Sequence, residues 1–129
     1  AGEVAKLMAE SGLVVIGSLI SPLRKEREAV RASCHNAGLN FSEIYISASI
    51  ADCEKRDPRG LYRKARKGEI QGFTGIDSPY EIPEKADLIL ETAKESVEES
   101  VGRLLSHVLS LVGLKDKDQE GATGPGGQI

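Results

Sequence analysis

Hydrophobic and polar positions change period several times along the 129 residues, and each change marks an element. Val4, Leu7 and Met8 recur at helical spacing within Glu3 to Glu10, and Ser11-Gly12 closes the segment, which predicts the end of a helix. Leu13-Val-Val-Ile16 is an unbroken β-branched and apolar run, the pattern of a strand covered on both faces. Ser21-Pro22 predicts a helix start, with Ser as N-cap and Pro at the first helical position, where its missing N–H is not needed. That helix runs through Glu28, Ala29, Val30 and Ala32 toward Gly38. A second short strand is predicted over Glu43 to Ile46. Ser49-Ile-Ala-Asp52 has the spacing of a capping pair, so a helix follows from Ile50 to about Arg56. Pro58 interrupts it, and a second helical piece covers Gly60 to Lys67. Residues 68–83 are punctuated by Gly and Pro and read as loop. Ala86 to Leu90 is a third strand. Ser96 to Leu114 is the clearest helix, with Val97, Val101, Leu104, Leu105, Val108, Leu111 and Val112 on one stripe.

Strands alternating with helices predict an α/β fold with a parallel sheet. Residues 1–114 form one domain, and Lys115 to Ile129, Gly-rich and polar, read as a disordered tail. The tail's GATGPGGQ stretch is not a phosphate loop, because no Gly-Lys-Ser/Thr follows it. Aromatic residues are 4% of the chain and Trp is absent, so the core must be built from Val, Leu, Ile and Ala. The apolar run Gly12 to Ile20 is too short to span a membrane. Cys34 and Cys53 have neither a disulfide-framework nor a metal-site spacing, which suits a reducing cytoplasm. His35 and His107 have no ligand-spaced partners and read as surface or helix-face residues.

Charge sharpens this picture. Residues 55–67 hold seven cations against Asp57 alone, so they carry six net positive charges in a chain of net charge −3. A local cationic segment on an acidic protein concentrates anionic ligands; a solvated basic helix face accounts for the charge equally well. Nucleic-acid binding is disfavoured, since no aromatic platform accompanies the segment. Ser21 sits where a strand's carboxyl end is expected to meet a helix start, a place where free N–H groups can receive a phosphate or sulfate. A plain N-cap explains Ser-Pro equally well. No adjacent base activates this serine as a covalent nucleophile. Phe73, in a Gly-flanked loop with no periodic reason for a large ring, is either a ligand platform or a plug beneath the loop.

Three segments together resemble the adenylylsulfate kinase (APS kinase) family: GEVAKLMAESGLVVIGSLISPLRKERE, CEKRDPRGLYRKARKGEI and GFTGIDSPYEIPEKADLIL. The resemblance covers residues 2–113 and implies transfer of a phosphoryl group from ATP to the 3′-hydroxyl of adenosine 5′-phosphosulfate (APS). It implies a P-loop kinase-like parallel sheet with flanking helices and strand order 2-3-1-4-5. The family's phosphate loop and first, central strand have no counterpart in these residues, so the sheet is expected to be incomplete and the chain inactive alone. The segments at 13–18 and 43–47 then flank an empty slot. Unpaired backbone groups buried there cost about 1–3 kcal/mol each, so a cooperatively folding monomer is not expected.

For individual residues the resemblance implies the following. Ser21 matches the position recorded as a phosphoserine and lies against APS, as does Ile20. Arg56 packs on the ATP adenine, a use suited to a planar guanidinium. Arg59, where the family usually has lysine, contacts substrate, and Phe73 stacks on the APS adenine. Residues 59–72 form a mobile lid over the nucleotides, to which Arg63, Lys64, Arg66 and Lys67 bring charge. Gly75 allows a turn with positive φ, while Asp77, Tyr80 and Glu81 anchor the lid. Where the family has Asp-Thr-Pro after a strand, this chain reads Ser47-Ala48-Ser49, keeping the cap and losing the aspartate. ATP is the implied co-substrate and Mg²⁺ the implied metal, its family ligands lying in the P-loop segment. A homodimer, or fusion to a sulfurylase subunit, fits the family. The alternative is a non-catalytic domain that binds APS or its 3′-phosphorylated product for regulation.

Overall fold

The computed structural model describes residues 1–114; the tail predicted over Lys115 to Ile129 lies outside the described residues. Element order is α1 (Gly2–Glu10), α2 (Arg24–Asn36), β1 (Ile44–Ser47), α3 (Ile50–Arg56), α4 (Leu61–Arg66), β2 (Leu88–Glu91) and α5 (Val97–Leu111). β1 and β2 pair in parallel, Ile44 opposite Leu88 through Ser47 opposite Glu91. A parallel pair needs a crossover that carries the chain back, here α3, α4 and the loop after them.

Capping explains why several elements start where they do. The Ser49 hydroxyl accepts the Asp52 N–H at 3.1 Å and donates to the Asp52 carboxylate. That hydroxyl is the main reason the Asp52 carboxyl is held below its ordinary range. At α5, Ser96 and Glu99 close a reciprocal capping box, with contacts of 2.7 and 3.1 Å, which satisfies two otherwise unpaired N–H groups.

Two expectations are corrected. Leu13 to Ile16 joins no ladder among the described residues, and Val14 and Ile16 are 61% and 78% exposed. An apolar run can signal that a strand would be covered, but a strand exists only where a neighbour takes its N–H and C=O groups. The second concerns α2, which starts at Arg24 with Leu23 at the N-cap, not at Ser21-Pro22. Ser21 instead takes a positive φ of 42°, which carries the chain out of helical geometry before α2 begins.

The apolar stripe of α5 is turned partly outward. The inward face runs through buried Ser100 and half-buried Leu104, His107 and Val108, while Val97, Val101 and Leu105 are exposed. His107 Nε2 lies 2.7 Å from the Ser42 hydroxyl, so it is a packing contact rather than a surface group. The buried apolar residues are Leu90, Cys34 and Ala65, one each from β2, α2 and α4.

Candidate functional site

The inward face of α2 carries arginines, and these organise the surrounding loops. Arg27, with only 8% of its side chain exposed, uses three nitrogens on three partners. Its Nε donates to Glu43 Oε1 at 2.6 Å, Nη1 to the Ser21 carbonyl at 2.7 Å, and Nη2 to the Glu81 carbonyl at 2.6 Å. The guanidinium also lies 5.7 Å from the Tyr80 ring centroid, and Tyr80 stacks on Tyr45 of β1. A planar fork with fixed donor directions can bridge groups in this way where a point-charge ammonium cannot. One turn further on, Arg31 bonds Asp87 at 2.7 Å and also reaches Glu43. Burial pushes the Asp87 carboxyl up, but Arg31 and the Glu43 N–H outweigh it and hold it below its ordinary range.

Ser21 therefore sits in a tied turn. Its neighbour Pro22 accepts the Glu81 N–H at 2.8 Å, and the Glu81 carboxylate accepts the Arg24 N–H at 2.6 Å. Glu81 thus takes the capping role at α2 that the sequence suggested for Ser21. Ile20, beside it, is 69% exposed. Glu81 is tied through its N–H, carbonyl and carboxylate, whereas Tyr80 is held by ring contacts with Tyr45 and Arg27.

The loop ahead of Glu81 is fixed by its own contacts. The Asp77 carboxylate accepts the Gly72 N–H at 2.7 Å and the Phe73 N–H at 2.5 Å. The Phe73 carbonyl accepts N–H groups from Ile76, Asp77 and Ser78. Gly75 has φ +86°, a conformation that favours glycine, and a Cβ there would stand 2.6 Å from Ile50 Cδ1, so the end of that side chain would have to move aside. The half-buried Phe73 ring meets Tyr62 of α4 edge-on, with centroids 5.0 Å apart. Burial, then the Cys53 thiol beside it, raises the Tyr62 hydroxyl above its ordinary range.

The cationic segment folds as α3 and α4 around an open groove of about 600 Å³ lined by Glu54, Lys55, Asp57, Tyr62, Arg63, Arg66 and Lys67. Asp57 caps α4 by accepting the Tyr62 and Arg63 N–H groups at 3.1 Å each. Burial pushes its carboxyl up, and those N–H groups more than reverse the effect. Arg66 is tied to Glu54 at 2.6 Å, so it braces α4 against α3. The Arg63 guanidinium lies along Gly60. Among the described residues, the side chains of Arg59, Lys64 and Lys67 make no ion pair or hydrogen bond, and all three are exposed. Arg56 reaches the end of β2, donating to the Thr92 hydroxyl at 3.2 Å and to the Thr92 carbonyl. Thr92 N–H in turn bonds the Ser47 carbonyl at 3.1 Å, so Arg56 stands at the carboxyl ends of both strands.

Two groups of predicted residues result. Ser21, Tyr80 and Glu81 converge on Arg27, while Arg56, Arg63, Arg66, Lys67 and Phe73 gather around α3 and α4. The 72–81 loop joins them. Arg27, Thr92 and Tyr62 were not singled out from the sequence. Arg24, Arg27 and Arg31 at helical spacing were the available signal, since a helix face lined with arginines must find carboxylates or carbonyls inside. Among the described residues, no group of three or more His, Cys, Asp or Glu side chains could hold a metal ion, so none is assigned to Mg²⁺. No helix of the described residues is long and apolar enough to cross a membrane.

Two parallel strands joined by a helical crossover, with a cationic helical segment beside their carboxyl ends, form an α/β domain, and its likeness to solved APS kinases places it in the P-loop kinase class. The family pattern for adenylylsulphate kinase matches residues 1–91, and the chain belongs to that family. A probable adenylyl-sulfate kinase of Halalkalibacterium halodurans is 47% identical over 117 residues, 91% of this chain and 55% of that protein. An adenylyl-sulfate kinase of Geotalea daltonii is 49% identical over 83% of this chain and 52% of its own length. The chain thus spans about half the length of the curated relatives it matches. The APS kinase of Mycobacterium tuberculosis, solved in complex with AMPPNP and APS, superposes with a TM-score of 0.76 at 41% identity, covering 83% of this chain and 61% of that one.

Proposed function

We propose that this chain supplies the APS-facing loops and the lid of an adenylyl-sulfate kinase, which converts ATP and APS to ADP and 3′-phosphoadenosine 5′-phosphosulfate. One observation supports the reading most: two loops distant in sequence, the Ile20–Ser21 turn and the loop carrying Phe73, are held together by one buried arginine. The M. tuberculosis relative's complex with AMPPNP and APS supports the same pair of ligands here.

In this reading Phe73 stacks on the APS adenine, with Tyr62 bracing the ring from its edge. Ile20 and Ser21 line the same ligand. Arg56 offers its guanidinium plane to the ATP adenine while Thr92 fixes its direction. Arg59, Arg63, Lys64 and Lys67 neutralise phosphate charge as the lid closes, and Arg66 keeps α4 on α3. Phosphoryl transfer depends on positioning and charge stabilisation, and these residues supply both on the sulfonucleotide side. The 129 residues contain no Gly-x-x-x-x-Gly-Lys-Ser/Thr, so cradling the ATP phosphates is not a task of these residues. A reducing, cytoplasmic setting suits the two free thiols.

Calorimetric titration of the chain with APS tests the reading. Binding by the wild type and a clear loss in Phe73→Ala are expected. No binding by the wild type, or equal binding by both, overturns it.

A further inference from the structure

We infer that Arg27 is a positioning residue for the sulfonucleotide, setting the distance between the Ser21 turn and the Phe73 loop. The inference rests on the reading that these two loops bind APS. Ser21 has φ +42°, within the left-handed range, where a non-glycine residue persists only if its surroundings enforce it. The enforcing contact on its carbonyl is Arg27 Nη1, and the other arm of the same guanidinium holds Glu81. Glu43 neutralises the buried cation through Nε, and Tyr80 covers its face. The geometry leaves little freedom, because all three donors belong to one rigid plane. A shift of either loop must therefore break a contact or carry the other loop with it.

Arg27 holds the backbone carbonyls of Ser21 and Glu81, so its effect on binding passes through the Ser21 turn and the 72–81 loop. Arg31 provides a matched control: it shares Glu43 and adds Asp87 but bonds neither loop. Arg27→Lys keeps the charge and can hold no more than part of the fork.

Hydrogen exchange and APS titration on the full chain test the inference. Arg27→Lys is expected to speed exchange at residues 19–22 and 79–82 together, to leave α5 unchanged, and to weaken APS binding about tenfold, the equivalent of one charge-assisted hydrogen bond. Arg31→Lys is expected to leave APS binding within about threefold of wild type, since its network spares both loops. Wild-type APS affinity in Arg27→Lys overturns the inference, as does equal weakening by both variants or a uniform rise in exchange that includes α5. If the wild type binds no APS while Arg27→Lys still loosens both segments together, the ligand reading falls and takes the positioning role with it. That result is distinct from a failure of Arg27 alone.

Discussion

Replacing Asp77 by Ala removes the carboxylate that holds the start of the Phe73 loop. Two bonds are lost, from the Gly72 N–H at 2.7 Å and the Phe73 N–H at 2.5 Å. Hydrogen bonds to a charged acceptor contribute about 1.5–3 kcal/mol each, but Asp77 is exposed and water replaces part of the loss. A combined local effect of about 2 kcal/mol corresponds to roughly thirtyfold faster amide exchange at Phe73. Asp77→Asn keeps one acceptor oxygen, and an intermediate change of about fivefold is expected. The loop contributes none of the buried apolar residues Leu90, Cys34 and Ala65, so protection in α2 and α5 should not move. Residue-resolved exchange by NMR on the three proteins reads all of this. Unchanged exchange at Gly72 and Phe73 in Asp77→Ala refutes the reasoning, because the carboxylate then does not hold the loop.

Gly75→Ala puts a β-carbon on a residue at φ +86°; the expected local cost is about 1–3 kcal/mol, seen as faster amide exchange across residues 72–78, and unchanged exchange there refutes the strain. Ser96→Ala opens the capping box of α5, for which about 1 kcal/mol and faster exchange in its first turn are expected, with the rest of the helix unaffected. The Asp87 carboxyl is depressed in the fold, so its contribution is present above its unfolded value and lost as pH falls through the folded one. The stability gap between wild type and Asp87→Asn should therefore be constant from neutral pH downward and shrink below about pH 4; a gap that persists in acid contradicts the Arg31–Asp87 pairing.

Local signals in the sequence were reliable where they act over a few residues. Ser49 and Asp52 fix the start of α3, and Asp57-Pro58 separates it from α4, because capping and proline sterics need no distant partner. The strand at Leu88 to Glu91 was legible for its apolar run, although its paired residues start and end slightly later than Ala86 to Leu90. Partners far apart were not legible. Arg27 meets Glu81 across 54 positions, and nothing local to α2 names that carbonyl. The same holds for Leu13 to Ile16, whose composition states a preference for being covered but cannot state by what. In α5 the error was rotational: Ser100, small enough for close approach, faces inward, while Val97 and Val101, better hydrophobes, do not.

The strand ladder also has a bearing on the order of folding. Glu43 and Asp87, which immediately precede the two strands, are 44 positions apart, whereas α3 and α4 contact each other within a short stretch of chain. Closing a long loop costs entropy before its contacts repay it. The helical pair is therefore expected to form early, and the ladder late. Arg56 finds Thr92 only when that closure occurs, so its alignment at the strand ends belongs to the final step. The α3–α4 pair is expected to precede the sheet, whereas the Arg56 guanidinium takes its place at the carboxyl edge only with the sheet.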